Sequence, residues 1–83
     1  MNNDIKARIK KVLINKMLQG VNPEDIGDDT PLIEFGVGTD SVATLELTVA
    51  LEEEFHINID ESEINPELIT NINTIADYIS KRM

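Results

Sequence analysis

The centre of the chain reads Gly36-Val37-Gly38-Thr39-Asp40-Ser41-Val42-Ala43-Thr44-Leu45-Glu46-Leu47 and continues to Glu54. A glycine-bracketed loop ends in an aspartate and a serine, and an apolar-periodic, acid-rich helix is predicted to start there. Asp40 is the expected N-cap, and the helix should run to about Glu54. The Ser41 hydroxyl then lies at the positive end of the helix, with no histidine or lysine beside it in sequence. Such a serine suits attachment of a group better than nucleophilic catalysis.

This central helix has a predicted inner and a predicted outer face. Leu47, Leu51 and Phe55 recur every four residues and should face the core, with Thr44 and Thr48 beside them. The residues expected outside or at the end are acidic: Glu46, Glu52, Glu53 and Glu54. Three glutamates in the last turn oppose the helix dipole at a cost of about a few tenths of a kcal/mol each, which hints at a functional demand on the acids.

Three further helical pieces complete a predicted all-α, four-helix bundle forming one domain over residues 1–83. In the first, Asp4 is the expected N-cap and Gly20 the left-handed end; the inward residues are Ile5, Ile9, Val12, Leu13 and Met17. In the last, Asn71 is the expected cap, and Ile72, Ile75, Ala76 and Ile79 face inward. A short third helix is expected somewhere between Asp60 and Ile69, because residues 60–63 resemble a capping box and Asn65-Pro66 a second helix start. Residues 55–59 alternate like a strand but have no partner strand, which favours an extended connector.

A long first loop, residues 21–39, joins the first two helices. Its apolar residues, Ile26, Leu32, Ile33 and Phe35, are the expected anchors, and Leu32 and Phe35 are predicted to lie in the core. A loop of this length in a small domain is usually tied down or functional.

Charge narrows the choice of partners. The net charge is −9, and no lysine or arginine occurs between Met17 and Ser80. Such a surface repels phosphate backbones and anionic lipid, so nucleic-acid and membrane binding are not expected, whereas basic protein patches are attracted. The lysines of the first helix are expected to form a solvated face; the alternative is that they contact partners or the acidic half of the domain. The chain has no cysteine, no long apolar run and no signal-peptide pattern, so a cytoplasmic monomer is expected.

Catalytic and metal-binding patterns are missing from the sequence. Ser41 has no base nearby, the single histidine, His56, is far along the chain, and no G-x-S-x-G elbow occurs. The acidic clusters do not fit an EF-hand, and Gly36-x-Gly38 is too short for a dinucleotide loop. We therefore expect neither an enzyme nor a metal site.

Across almost its whole length the chain resembles the acyl carrier proteins and the related peptidyl and polyketide carriers. The resemblance lies in Asp40-Ser41-Val42, Leu45-Glu46-Leu47 and Leu51-Glu52-Glu53-Glu54-Phe55. It continues upstream in Thr30-Pro31-Leu32-Ile33-Glu34-Phe35-Gly36 and downstream in Ile57-x-Ile59 and Ile75-Ala76-Asp77-Tyr78-Ile79.

The resemblance implies that Ser41, next to Asp40, carries 4′-phosphopantetheine transferred from coenzyme A by a separate phosphopantetheinyl transferase using Mg²⁺. The thiol of that arm would hold acyl groups as thioesters and present them to acyl-loading, elongating or transferring enzymes of fatty acid, lipid or polyketide-type biosynthesis. The positions that would contact partners are Val42, Glu46, Val49, Glu52 and Glu53. Those that would shelter an acyl chain are Phe35, Thr44 and Leu47.

Several features depart from the usual fatty-acid-synthesis carrier and look more like a free-standing carrier of a specialised pathway. Ala43 stands where an acid is usual, the loop before Asp40 is longer, and His56 replaces a common glycine; Asn65-Pro66-Glu67-Leu68 extends the region of the third helix. An aminoacyl, D-alanyl or peptidyl carrier stays open, because the loading enzyme chooses the cargo. So does an acidic helical adaptor without a prosthetic group, which would depend on Glu46 and Glu53 but not on Ser41.

Overall fold

The computed structural model consists of three α-helices joined by irregular connections. They are α1, Asn2–Lys16; α2, Ser41–Phe55; and α3, Ile72–Arg82. Short 3₁₀ turns occupy Pro23–Asp25, Leu32–Phe35 and Glu61–Glu63. The structure describes residues 2–37, 41–64 and 67–83, with the side chains in these ranges except those of residues 2, 3, 41 and 61.

The predicted all-α class is confirmed, since these ranges contain helices and turns but no strand. The predicted connector, residues 55–59, is shorter than expected: Phe55 belongs to α2 and His56 to the turn after it, while residues 57–59 are neither helix nor strand. Among the described helices, none has the length and apolar character needed to cross a membrane.

The core lies where α1 packs against both α2 and α3. Each helix contributes the apolar stripe that its periodicity predicts. The largest fully buried side chains are Ile9, Leu13, Ile26, Leu32, Leu47, Ile72, Ile75 and Ile79. Burying one such side chain contributes about 1.5–3 kcal/mol, so this set is the main source of stability. Two residues of the predicted α1 stripe, Ile5 and Met17, are only half-buried.

Both predicted ends of α1 are wrong. The helix begins at Asn2, so Asp4 lies inside its first turn. There its carboxylate interacts favourably with the helix dipole but does not cap the helix. It ends at Lys16, because the carbonyl of Leu13 accepts from the N–H groups of both Met17 and Leu18, at 2.8 and 3.1 Å. The chain then turns Leu18 into the core. Gly20 has the predicted left-handed conformation, with φ of 95°, but in the turn after the helix.

The start of α3 follows its prediction. The Asn71 side-chain oxygen accepts hydrogen bonds from the N–H of Thr74 at 2.8 Å and from its hydroxyl at 2.9 Å. These bonds satisfy one free donor of the first turn. The inward residues of α3 are the predicted Ile72, Ile75, Ala76 and Ile79.

The first loop is held to the helices by Asp28. Its carboxylate pairs with the Lys10 ammonium at 3.0 Å and the Lys6 ammonium at 3.6 Å, and its carbonyl accepts from the Asn73 N–H at 2.9 Å. Asp28 therefore connects the loop to α1 and α3 at once. The hydrogen bond from Lys10, assisted by both ammonium charges, holds the pKa of this carboxyl below its usual value.

Two of the four predicted loop anchors are corrected. Ile26 and Leu32 are fully buried as expected, but Ile33 is 65% exposed. Phe35 is half-buried and packs against the edge of the core instead of lying within it. The tight 3₁₀ turn accounts for the difference at Ile33, because consecutive residues of such a turn point in different directions and Leu32 takes the inward one.

The predicted short third helix is not confirmed. The described part of this region has a three-residue 3₁₀ turn, Glu61–Glu63, and a further turn at residues 67–69; Asn65 and Pro66 lie outside the described residues. Asp60 accepts from the N–H and hydroxyl of Ser62, both at 3.0 Å, forming a local turn. The Glu63 carboxylate pairs with Arg82 of α3 and so does not serve the expected capping box.

Most basic side chains of α1 contact acids of the same chain and do not form the expected solvated face. Lys6 and Lys10 pair with Asp28, and Arg8 pairs with Glu54 at 2.9 Å. The basic helix thus neutralises part of the acidic half of the domain.

Candidate functional site

The loop leading into α2 is anchored on both sides of its 3₁₀ turn. The Leu32 N–H donates to the carbonyl of Thr70 at 2.9 Å, and Val37, 2% exposed, donates back to Leu32 at 3.2 Å. Gly36 caps the turn in the left-handed region, with φ of 85°, where a side chain would strain the backbone. These contacts hold the loop in place as far as Val37, the last described residue before α2.

Helix α2 begins at Ser41, as the sequence predicts to within a residue. Its first turn has no acidic residue, so the positive end of its dipole receives no carboxylate from within the helix. A phosphodiester is the kind of anion such a helix end favours, and the residues present fit it. The predicted cap, Asp40, lies outside the described residues, as do Gly38 and Thr39.

The outward face of α2 carries apolar side chains that are exposed to solvent. Val42 is 61% exposed, Leu45 46% and Val49 49%. At about 100° per residue they fall within one narrow arc, together with the exposed Glu46 and Glu53. Exposed apolar residues grouped in this way and flanked by charges are typical of a protein-binding surface.

Leu45 was not among the predicted partner residues. The signal for it is the i, i+3, i+7 spacing of Val42, Leu45 and Val49, which forms a second apolar stripe opposite Leu47 and Leu51. In the Leu45-Glu46-Leu47 motif, the family resemblance assigns the partner contact to Glu46 and not to the leucine before it.

Two of the three glutamates at the end of α2 have structural roles. The Glu52 carboxylate accepts from the Ile59 N–H at 2.8 Å, which fixes the connector after the helix. Arg8 donates to the Glu54 carboxylate at 2.9 Å and to the Glu54 carbonyl at 2.7 Å, and its guanidinium lies 4.3 Å from the Phe55 ring centre. Arg8 thus offsets Glu54, one of the acids that oppose the helix dipole, and Glu52 holds the connector. A functional role is therefore not needed to explain either glutamate.

The predicted acyl-chain residues lie at different depths. Leu47 is fully buried and Thr44 nearly so, while Phe35 is half-buried. The carbonyl of Thr44 accepts from the Thr48 hydroxyl at 2.9 Å, which satisfies that polar group inside the core. An acyl chain reaching Leu47 would have to displace core contacts, so the predicted role of these residues stays a prediction.

His56 lies in the turn that ends α2. It is exposed and has a positive φ of 55°, which L-residues seldom adopt. The described residues bring no group of three or more His, Cys, Asp or Glu side chains into a metal-binding arrangement.

The sequence profile of the phosphopantetheine attachment site family matches residues 11–79. That range includes α2 and its approach loop, the later part of α1 and most of α3. The chain belongs to this family of phosphopantetheine-binding carrier domains. Domains of the family are the attachment site of covalently bound 4′-phosphopantetheine.

Proposed function

We propose that this protein carries acyl intermediates as thioesters on a 4′-phosphopantetheine arm attached to the Ser41 hydroxyl. The observation that supports this most is the position of Ser41 within the family match. It is the first residue of α2, where the dipole favours a phosphodiester, and the exposed Val42 follows it directly. The arm would supply a thiol that forms the thioester. The protein's part is to hold the arm and present it, and domains of this kind are not catalytic.

Attachment is tested by incubating the protein with coenzyme A, Mg²⁺ and a broad-specificity phosphopantetheinyl transferase, followed by intact-mass measurement. The expected result is one phosphopantetheinyl mass gain, absent in Ser41→Ala and retained in Ser80→Ala. Ser80 is a suitable control because it is exposed on α3. A folded wild-type protein that gains no mass contradicts the proposal.

We further propose that partner enzymes with basic patches dock on the outward face of α2. The residues concerned are Val42, Leu45, Glu46, Val49 and Glu53. Their exposure supports this role, and neither glutamate forms a salt bridge with another described residue. Glu52 is less suited to it, because its carboxylate holds the Ile59 N–H.

Docking is tested by measuring transfer rates for Glu46→Lys and Glu53→Lys against Glu67→Lys, an exposed acid outside α2 with the same charge change. Rates should fall with the two α2 variants and stay close to wild type with the third. Equal losses in all three would show an effect of net charge and not of a docking surface.

The pathway belongs to the same proposal: acyl transfer in fatty acid, lipid or polyketide-type biosynthesis. We also propose, as a separate point about the fold, that a short helix within residues 60–69 completes a four-helix arrangement. Intact-mass measurement on protein from its own cells, before and after thioester cleavage, identifies the cargo. An amino acid or peptide released in place of an acyl chain would assign the protein to the aminoacyl or peptidyl carriers.

A further inference from the structure

The exposed face of α2 is one wall of a groove that also includes a cation from α1. The groove, of about 380 Å³, is lined by Val42, Leu45, Glu46, Val49, Ala50 and Glu53 of α2, and by Lys16. Lys16 is exposed and lies in the last turn of α1. The candidate docking surface is therefore of mixed charge, although the sequence from Met17 to Ser80 contains no lysine or arginine.

The packing of the helices explains why Lys16 reaches this position. Arg8 contacts Glu54 and Phe55 at the end of α2. Lys16 lines the groove together with residues nearer the start of α2. The two helices are therefore antiparallel. Eight residues span about 12 Å in either helix, which places Lys16 beside the turn that contains Glu46.

Lys16 also differs in its pairing from three of the other four cations of α1; the fourth, Lys11, has no ion pair among the described residues either but lines a different groove. Lys6, Arg8 and Lys10 each form an ion pair with an acid of the chain. Among the described residues Lys16 forms none, and neither do Glu46 and Glu53. Three charges of both signs therefore face the groove without an ionic partner within the described fold.

We infer that Lys16 is a specificity determinant of partner docking. It favours an enzyme segment that places a carboxylate opposite Lys16 and cations opposite Glu46 and Glu53, around an apolar centre on Val42 and Val49. A uniformly basic segment meets like-charge repulsion at Lys16 and is selected against. This inference rests on the proposed function, since it concerns the partners of the same surface.

The test uses a phosphopantetheinyl transferase with a basic docking face and compares Lys16→Glu with Lys11→Glu. Both changes alter the net charge equally on exposed positions of α1, but Lys11 lines a different groove, beside Pro23 and Asp28. At low ionic strength Lys16→Glu should raise kcat/KM about three- to tenfold, chiefly through KM, and the gain should shrink as salt is added. Lys11→Glu should change it less than about twofold.

A second arm tests the carboxylate half of the inference. Basic residues of the transferase face are changed singly to glutamate and assayed with wild-type carrier and with Lys16→Glu. At least one of these transferase variants should lose less activity with the wild-type carrier than with Lys16→Glu. The coupling in a double-mutant cycle should be about threefold or more. Thermal unfolding by circular dichroism checks that each carrier variant is folded.

Equal effects of Lys16→Glu and Lys11→Glu, or the absence of coupling at every transferase position, would overturn the inference while Ser41 modification continues. If the wild-type carrier is not modified at all, the proposed function itself fails and the inference fails with it.

Discussion

Replacing Arg8 with methionine should remove three contacts between α1 and the end of α2. Arg8 donates to the Glu54 carbonyl at 2.7 Å and its carboxylate at 2.9 Å, and it lies 4.3 Å from the Phe55 ring centre. Methionine keeps a long apolar stem in the same place, so most packing should survive. The loss therefore reports mainly on the guanidinium.

The magnitude follows from these three contacts. The side chains of Arg8 and Glu54 are 34% and 37% exposed, so the ion pair is worth about 0.5 kcal/mol. The hydrogen bond to the carbonyl adds about 1 kcal/mol and the aromatic contact about 0.5 kcal/mol. Because neighbouring terms are not strictly additive, we expect Arg8→Met to cost about 2 kcal/mol, or a Tm fall of about 8–16 °C for a domain this small.

Urea unfolding followed by far-UV circular dichroism measures the change. Lys11→Met is the matched control, since it removes a cation from α1 that has no described ion pair, and it should stay within about 0.5 kcal/mol of wild type. Arg8→Lys keeps the charge but loses the planar donor fork, so it should fall between the two. If Arg8→Met costs no more than Lys11→Met, the assigned role of Arg8 is wrong.

Three further predictions concern single positions. His56→Gly should stabilise the fold by about 1 kcal/mol in the same urea assay, because glycine adopts the positive φ at this turn without strain; a loss of stability would show that the imidazole has a structural role. Asp28 has a folded-state pKa lowered chiefly by its hydrogen bond from Lys10, so its contribution is present above the unfolded value of 3.8 and is lost as pH falls through the folded value. Asp28→Asn should therefore reduce stability at neutral pH and make stability less dependent on pH below about 4. If the pH dependence of stability below about 4 is unchanged, the assigned role of Asp28 is wrong. Asn71→Ala removes the acceptor for Thr74 and should cost about 1 kcal/mol, measured against Asn73→Ala on the exposed side of α3.

The long periodic helices could be predicted from the sequence because one physical rule governs each. In α2 and α3 the apolar residues recur at helical spacing, and the buried residues Leu47, Leu51 and Ile75 lie where that spacing puts them. Asn71 could be predicted because its cap depends only on the next three residues. Local chemistry and burial point the same way in these elements.

Predictions failed where a contact between distant residues decides the structure. Glu63 has the spacing of a capping-box glutamate but pairs with Arg82, nineteen residues away. The hydroxyl of Tyr78 is buried beside the Glu63 carboxylate, and burial, together with that carboxylate, raises the pKa of Tyr78. No local sequence pattern predicts an ion pair between residues so far apart in the chain. The ion pair between Arg8 and Glu54 could not be predicted for the same reason.

The candidate site likewise has features that depend on local sequence and features that depend on contacts between distant residues. The start of α2 at Ser41 was predicted from the local pattern, and the exposed Val42 and Val49 are among the positions that the family resemblance assigns to partner contact. The contribution of Lys16 was not predicted, because it depends on the antiparallel packing of α1 against α2. A surface built from two helices needs the tertiary structure to be recognised.

The most direct test of the account is to locate the phosphopantetheine group by peptide mass spectrometry. Trypsin is unsuitable, since no lysine or arginine occurs between Lys16 and Lys81, whereas cleavage after glutamate releases residues 35–46, in which Ser41 is the only serine. After treatment with coenzyme A and transferase, we predict that this peptide alone carries one phosphopantetheinyl group. An unmodified 35–46 peptide, or the group found on a peptide containing Ser62 or Ser80, would contradict it.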